Sequence, residues 1–182
     1  MKVLLLFFCL FNFSLSFSQE STMSISVHQD LRLLLIGDDR GNEIFTPDIL
    51  VRLEVEAFKI KKSSFPVYFG VEYSDLSQST LFRFMLGVGF ITKFSFSDKF
   101  LFGIFLDHGL LGRGKSTFLS KDKEIEESSF MSLSLSFETS YPLSEKVRLS
   151  LLYQLLDRQD LTIRYGNRRI NGSVFLGVKF AL

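Results

Sequence analysis

Histidine and cysteine are scarce in this sequence, and the side chains whose spacing suggests chemistry are mostly ionic. Among 182 residues there are two histidines, His28 and His108, and one cysteine, Cys9. One thiol forms no intrachain disulfide, and three Cys/His residues fall short of the four ligands of a structural zinc centre. A histidine can activate a serine held within hydrogen-bond reach. His28 precedes Gln29-Asp30 and His108 precedes Gly109-Leu110, so neither has a serine two residues on. Gly37-Asp38-Asp39-Arg40-Gly41-Asn42 reads as a tight turn, because it lacks the ligand spacing and closing Glu of a calcium loop. No catalytic residue, metal site or cofactor is expected.

The remaining chemistry belongs to eleven ionisable residues that share one phase of an alternating pattern. The acids are Asp30, Glu54, Glu56, Glu72, Asp107 and Glu138; the bases are Arg32, Arg52, Arg83, Arg148 and Lys179. Six against five is near balance. If this phase faces a narrow, poorly hydrated space, unpaired charges there would be costly. The expectation is an interior network of ion pairs, with Arg83 and Arg148 among the partners of the carboxylates.

The elements that must position these residues are strands. Apolar residues recur every second position in eight segments: Met23 to Leu35, Ile49 to Ala57, Phe65 to Tyr73, Phe82 to Phe90, Phe100 to Leu106, Met131 to Phe137, Val147 to Leu155 and Val174 to Leu182. Gln29 alone breaks the first. Period two over such runs is the signature of β-structure. The 39 apolar-phase positions hold no charged residue, whereas a 23% charged background would place about nine there. The opposite phase carries the eleven ions together with Gly and Ser, such as Gly70, Gly87, Gly89, Gly103, Ser132, Ser134 and Ser136.

Alternation of this kind suits a closed barrel, apolar inward in a soluble lipocalin-like binder and apolar outward in a membrane barrel. Volume separates the two. Eight strands enclose an interior just wide enough for side chains to fill, too small for 39 mostly bulky residues, whereas Gly and Ser fit it. Five outward residues at period two cover a span close to the ~9–11 residues of a tilted membrane strand. Closure is then obligatory, because each unpaired backbone group in hydrocarbon costs several kcal/mol. The expected fold is all-β, a closed antiparallel up-and-down transmembrane barrel of eight strands. The longer connectors, about 36–48, 107–130 and 156–173, alternate with short ones, which puts the long loops on one side.

Residues 1–18 read as an address. Lys2 is followed by an apolar run from Val3 to Phe11, and Ser16-Phe17-Ser18 supplies small residues where a secretory signal is cut. A cleaved signal peptide over 1–18 and a barrel domain over 19–182 are expected. Cleavage would remove Cys9 and Lys2. The whole chain carries 21 basic and 20 acidic residues, so no bulk attraction for nucleic acid exists.

With these features in place, the chain resembles the small eight-stranded outer-membrane barrels, the OmpA/OmpX-like class. The export signal and the ending Val174-x-Leu176-x-Val178-x-Phe180-x-Leu182 carry the resemblance most specifically, and it spans the whole region after the signal. Two features depart from the class: the last residue is Leu182 where an aromatic is usual, and Trp is absent from the interfacial girdle. The resemblance implies residence in the bacterial outer membrane, contact with its lipid and lipopolysaccharide, and delivery of the C-terminal strand to the barrel assembly machinery. Some eight-stranded barrels act on lipid A through a Ser/His pair. The His-x-Ser arrangement of the deacylases is missing here, so no enzymatic activity is expected, with a lipid A-modifying enzyme as the alternative. Arg158, Arg164, Arg168 and Arg169 cluster in the last long loop, where guanidinium groups are suited to lipopolysaccharide phosphates. The expected role is structural or one of surface interaction, with a plugged lumen and with outer loops open to an unidentified protein partner; an exported soluble binder of a hydrophobic ligand is the further alternative.

Overall fold

A computed structural model of the chain describes residues 22–37, 42–76, 79–94, 97–114, 128–157 and 170–182. The signal segment 1–18 and Arg158, Arg164, Arg168 and Arg169 lie outside the described residues. Eight antiparallel strands follow one another around a closed barrel: β1 (Met23–Asp30), β2 (Asp48–Ile60), β3 (Ser63–Leu76), β4 (Ser79–Phe94), β5 (Ser97–Gly114), β6 (Ser128–Pro142), β7 (Val147–Asp157) and β8 (Ile170–Ala181). β8 returns to pair with β1, leaving no sheet edge.

Register fixes the tilt. Met23 pairs with Val55, and the chain of partners continues through Val67, Val88, Leu106, Leu135 and Leu155 to Gly172. At the seam, however, the Leu182 N–H bonds to the Met23 carbonyl at 2.9 Å, ten residues beyond Gly172. A sheet closed with such a stagger must wind around its axis, which sets the strands at the ~35–45° tilt typical of barrels. Strands are joined at the Met23 end by brief links, 61–62, 95–96 and 143–146, while the strand ends at the opposite end are joined by the longer stretches 31–47, 115–127 and 158–169. The connection 77–78 is the one brief link at that far end.

The apolar phase faces outward. Of its described positions only Leu33 is buried; Leu86 is 65% exposed and Val88 57%. This orientation overturns the soluble lipocalin-like alternative, in which the same residues would fill the lumen. Aromatic rings gather near the Met23 end, where Phe58 stacks on Phe65 at 4.4 Å and Phe100 meets Tyr141 at 5.0 Å. Tyr73, Phe82 and Phe84 lie toward the other end on β3 and β4, so Phe and Tyr form the interfacial girdles in the absence of Trp.

The first segment departs from the expected extended run. β1 stops at Asp30, and Leu31–Leu35 form a short helix, α1. Asp30 is its N-cap: Oδ1 accepts from the backbone N–H groups of Arg32 at 2.8 Å and Leu33 at 3.1 Å, satisfying donors that a helix start leaves open. α1 folds against β8 and β1 at the far end and buries Leu33.

Large side chains also occupy the inward phase. Leu50, Tyr68, Met85, Phe105, Leu152 and Phe175 form one buried cluster across the lumen. The inward glycines make room for them. A Cβ on Gly87 would come within 2.4 Å of the Tyr68 ring, and one on Gly89 or Gly103 within 2.6 Å of Phe105. Gly70 admits Met85 and Gly177 admits His28 in the same manner. Tyr68, Met85, Phe105 and His28 therefore each sit over a glycine on a neighbouring strand, and Phe105 also over Gly103 of its own strand, an alternation of large and small that suits a small barrel.

Candidate functional site

The lumen holds two ionic layers separated by that cluster. The layer nearer the long loops centres on Arg83, which is fully buried. Its guanidinium bonds to Asp107 through Nη2, to Glu72 through Nη1 at 3.3 Å, and to Ser132 Oγ through Nε at 2.7 Å. Tyr68 Oη donates to Asp107 Oδ2 at 2.6 Å and Ser134 Oγ to the same oxygen at 2.5 Å. Gln154 Nε2 reaches Glu72 Oε2 at 3.4 Å. One guanidinium thus stands between two carboxylates, and neutral donors supply the bonds that it cannot.

The second layer lies nearer the Met23 end. Arg52 pairs with Glu138 and faces Glu54 Oε1 at 3.5 Å; Lys179 Nζ pairs with Glu54 Oε2 at 2.6 Å and faces Glu138 at 3.7 Å. Two cations and two carboxylates balance. The Arg52 guanidinium also lies over the Phe105 ring, 4.5 Å from its centroid, and 5.5 Å from that of Tyr68. Such cation–π contact strengthens once water is excluded. Beside this layer His28 Nε2 and Ser150 Oγ share a hydrogen bond of 2.9 Å, both residues being buried.

Seven of the eleven expected lumen ions therefore meet in these layers: Arg52, Glu54, Glu72, Arg83, Asp107, Glu138 and Lys179. The other four are placed differently. Asp30 is buried as the cap of α1. Arg32 stands on the exposed side of that helix, because the chain leaves the sheet before reaching it. Glu56 is half-buried at a bulge where the β2–β3 register shifts. Arg148, expected to partner a carboxylate, donates instead to Ser140 Oγ at 3.1 Å and to the carbonyls of Lys99 and Ser140, at the Met23-end rim. Sequence reasoning missed Tyr68, Ser132, Ser134 and Gln154 as partners of the ions; their inward phase was the available signal.

Below the second layer the lumen opens into a cavity of about 190 Å³, lined by Ser24, Glu54, Phe105, Glu138, Arg148 and Lys179 among others. His108 is not at a rim. β5 runs on to Gly114, and His108 faces outward between its register partners Leu86 and Leu133. Among the described residues no cluster of three or more His, Cys, Asp or Glu could hold a metal ion.

No protein-family model matches the sequence. No curated relative matches it either. Solved structures do match the fold. The Yersinia pestis outer membrane protein Ail in a phospholipid bilayer nanodisc is similar with a TM-score of 0.51 at 13% identity, over 90% of this chain and 100% of that one. A crystal structure of the same Yersinia protein gives 0.51 at 11% identity, over 89% and 97%. Neisserial surface protein A gives 0.47 at 12% identity, over 88% and 95%. The chain has the fold of the small eight-stranded outer-membrane barrels, the OmpA/OmpX-like class that its sequence resembles. With its bulky apolar face turned outward and every strand paired, it is a transmembrane barrel of the outer-membrane type.

Proposed function

We propose that this barrel works in the bacterial outer membrane as a non-catalytic scaffold with a plugged lumen, presenting its long loops for structural or surface contact. The observation that carries this reading is the filled interior: two ion-paired layers with Leu50, Tyr68, Met85, Phe105, Leu152 and Phe175 packed between them. A path for hydrated ions would have to break charged hydrogen bonds and displace large rings held over glycines. A non-catalytic role is supported by both histidines. His108 has leucines for register partners, and His28 with Ser150 is enclosed in the lumen. Lipopolysaccharide phosphates are the ligand class that Arg158, Arg164, Arg168 and Arg169 would suit, and the β8 ending supports recognition by the barrel assembly machinery.

Single-channel recording on protein reconstituted into planar bilayers tests the plug. The expected result is no steady large conductance; a stable open level in every insertion would overturn it. Lipid A mass profiles of cells carrying wild-type or His108→Ala protein test the catalytic alternative, and identical profiles are expected.

A further inference from the structure

We infer that the cavity at the Met23 end is a binding site for a small zwitterion with an apolar side chain, a ligand of the α-amino acid class. Its lining is divided by strand. β3, β4 and β5 contribute Pro66, Ile91, Leu101 and Phe105, an apolar wall continuous with the central cluster. The charged groups come from β2, β6, β7, β8 and the β6–β7 turn. Of these, Glu54, Glu138 and Lys179 are already committed to one another and to Arg52. Glu56, Glu145, Lys146 and Arg148 remain, two of each sign. Among the described residues none of these four forms an ion pair.

The two half-buried members of that set, Glu56 and Arg148, stand on opposite sides of the cavity. Glu56 lies on β2. Arg148 lies on β7, but its guanidinium reaches over β6 to the Lys99 carbonyl of β5 and bonds to Ser140 of β6 on the way. In a closed ring of eight strands, β2 and β6 are four apart in either direction. The bonds to Ser140 and Lys99 occupy Nε and Nη2 of Arg148 and leave Nη1 to donate. A guest bearing only negative charge would meet Glu54, Glu56 and Glu138, and one bearing only positive charge would meet Lys146, Arg148 and Lys179. A guest with an ammonium for Glu56 and a carboxylate for Arg148 forms a charged hydrogen bond at each end. The apolar wall occupies the arc from β3 to β5 between those anchors, so a side chain on the same molecule lies against Pro66, Ile91 and Leu101. The cavity of about 190 Å³ equals the liquid volume of roughly six waters at ~30 Å³ each, which suits one amino acid. Apolar lining with a few placed polar groups is the usual form of a small-molecule site.

Titration of isotope-labelled protein in phospholipid nanodiscs with L-leucine tests this by NMR. The amides of Gly103 and Ser140 report from the cavity wall, and that of Gly109 from beside Ser132 in the Arg83 layer. Saturable shifts are expected at Gly103 and Ser140, and none at Gly109. Glycine lacks the side chain, N-acetylleucine the ammonium and leucinamide the carboxylate, and each should bind at least about tenfold more weakly than leucine. Glu56→Gln should weaken leucine at least about tenfold and leave N-acetylleucine unchanged, whereas Arg148→Gln should weaken leucine as much and leave leucinamide unchanged. Heat-shifted gel mobility confirms folding of each variant, and the comparison of the four compounds on the wild-type protein stands without them. No saturable shift with leucine, an equal shift at Gly109, equal affinity for any of the three analogues, or unweakened leucine binding in a folded variant would each overturn the site.

Discussion

Replacing Arg83 with Met keeps most of the side-chain volume and removes the guanidinium at the centre of its layer. Asp107 and Glu72 then remain in the lumen without their guanidinium. Asp107 keeps Tyr68 Oη and Ser134 Oγ as donors, and Glu72 keeps Gln154 Nε2. Each carboxylate loses a charged hydrogen bond worth about 1.5–3 kcal/mol, about 3–6 kcal/mol for the two; removal of one member of a buried pair costs about 3–5 kcal/mol, and a loss in that range is expected. That is roughly two to three and a half powers of ten in the folding equilibrium. Urea titration of the barrel in bicelles measures it, followed by far-ultraviolet circular dichroism because the chain has no Trp. Neutralising the orphaned acids in the same background, Asp107→Asn with Glu72→Gln, should restore at least half of the loss. A cost below about 1 kcal/mol in Arg83→Met, or no recovery in the triple variant, would refute the view that this guanidinium offsets two buried charges.

Gly87→Val places side-chain carbon where the Tyr68 ring lies, 2.4 Å from the first added atom, and should cost at least about 1–3 kcal/mol or stop refolding; Tyr68→Ala in the same chain should recover part of the loss, which gel mobility after refolding would show. Leu86→Arg introduces a charge on the outer wall at a position 65% exposed. In a bilayer it should cost about 2–4 kcal/mol, whereas an unchanged midpoint would contradict a lipid-facing wall.

The outer wall was legible because a membrane imposes one chemical demand on every outward position. Apolar residues at period two suffice to show it, and strand count, closure and direction follow from the same pattern. The inner wall answers to partners instead. Asp107, Glu72 and Arg83 could be assigned inward from phase alone, but that Tyr68 and Ser134 complete Asp107 depends on register between β3, β5 and β6. The pairing of Gly87 with Tyr68, and of Gly89 with Phe105, is likewise a cross-strand property that one sequence does not display. Arg32 was misplaced for a local reason. Asp30 before Leu31-Arg32-Leu33-Leu34-Leu35 carries a helix-start signal, which period two across Leu31, Leu33 and Leu35 imitates.

Tyr68 explains why the two ionic layers and the cluster between them act as one structure. Its ring packs edge-on to Phe105 at 5.6 Å and lies under the Arg52 guanidinium, while its hydroxyl donates to Asp107 in the opposite layer. A tyrosine can do this because its body is apolar and its tip polar; Phe would fill the same space without reaching Asp107, and a shorter hydroxyl residue would reach neither layer. Gly87 beneath the ring is what allows the side chain to lie across the lumen. The position of the plug is thus set by one aromatic residue and one glycine on adjacent strands. The ions on either side then hold that arrangement through Arg83 with Asp107 and Glu72 in one layer and Arg52 and Lys179 with Glu138 and Glu54 in the other.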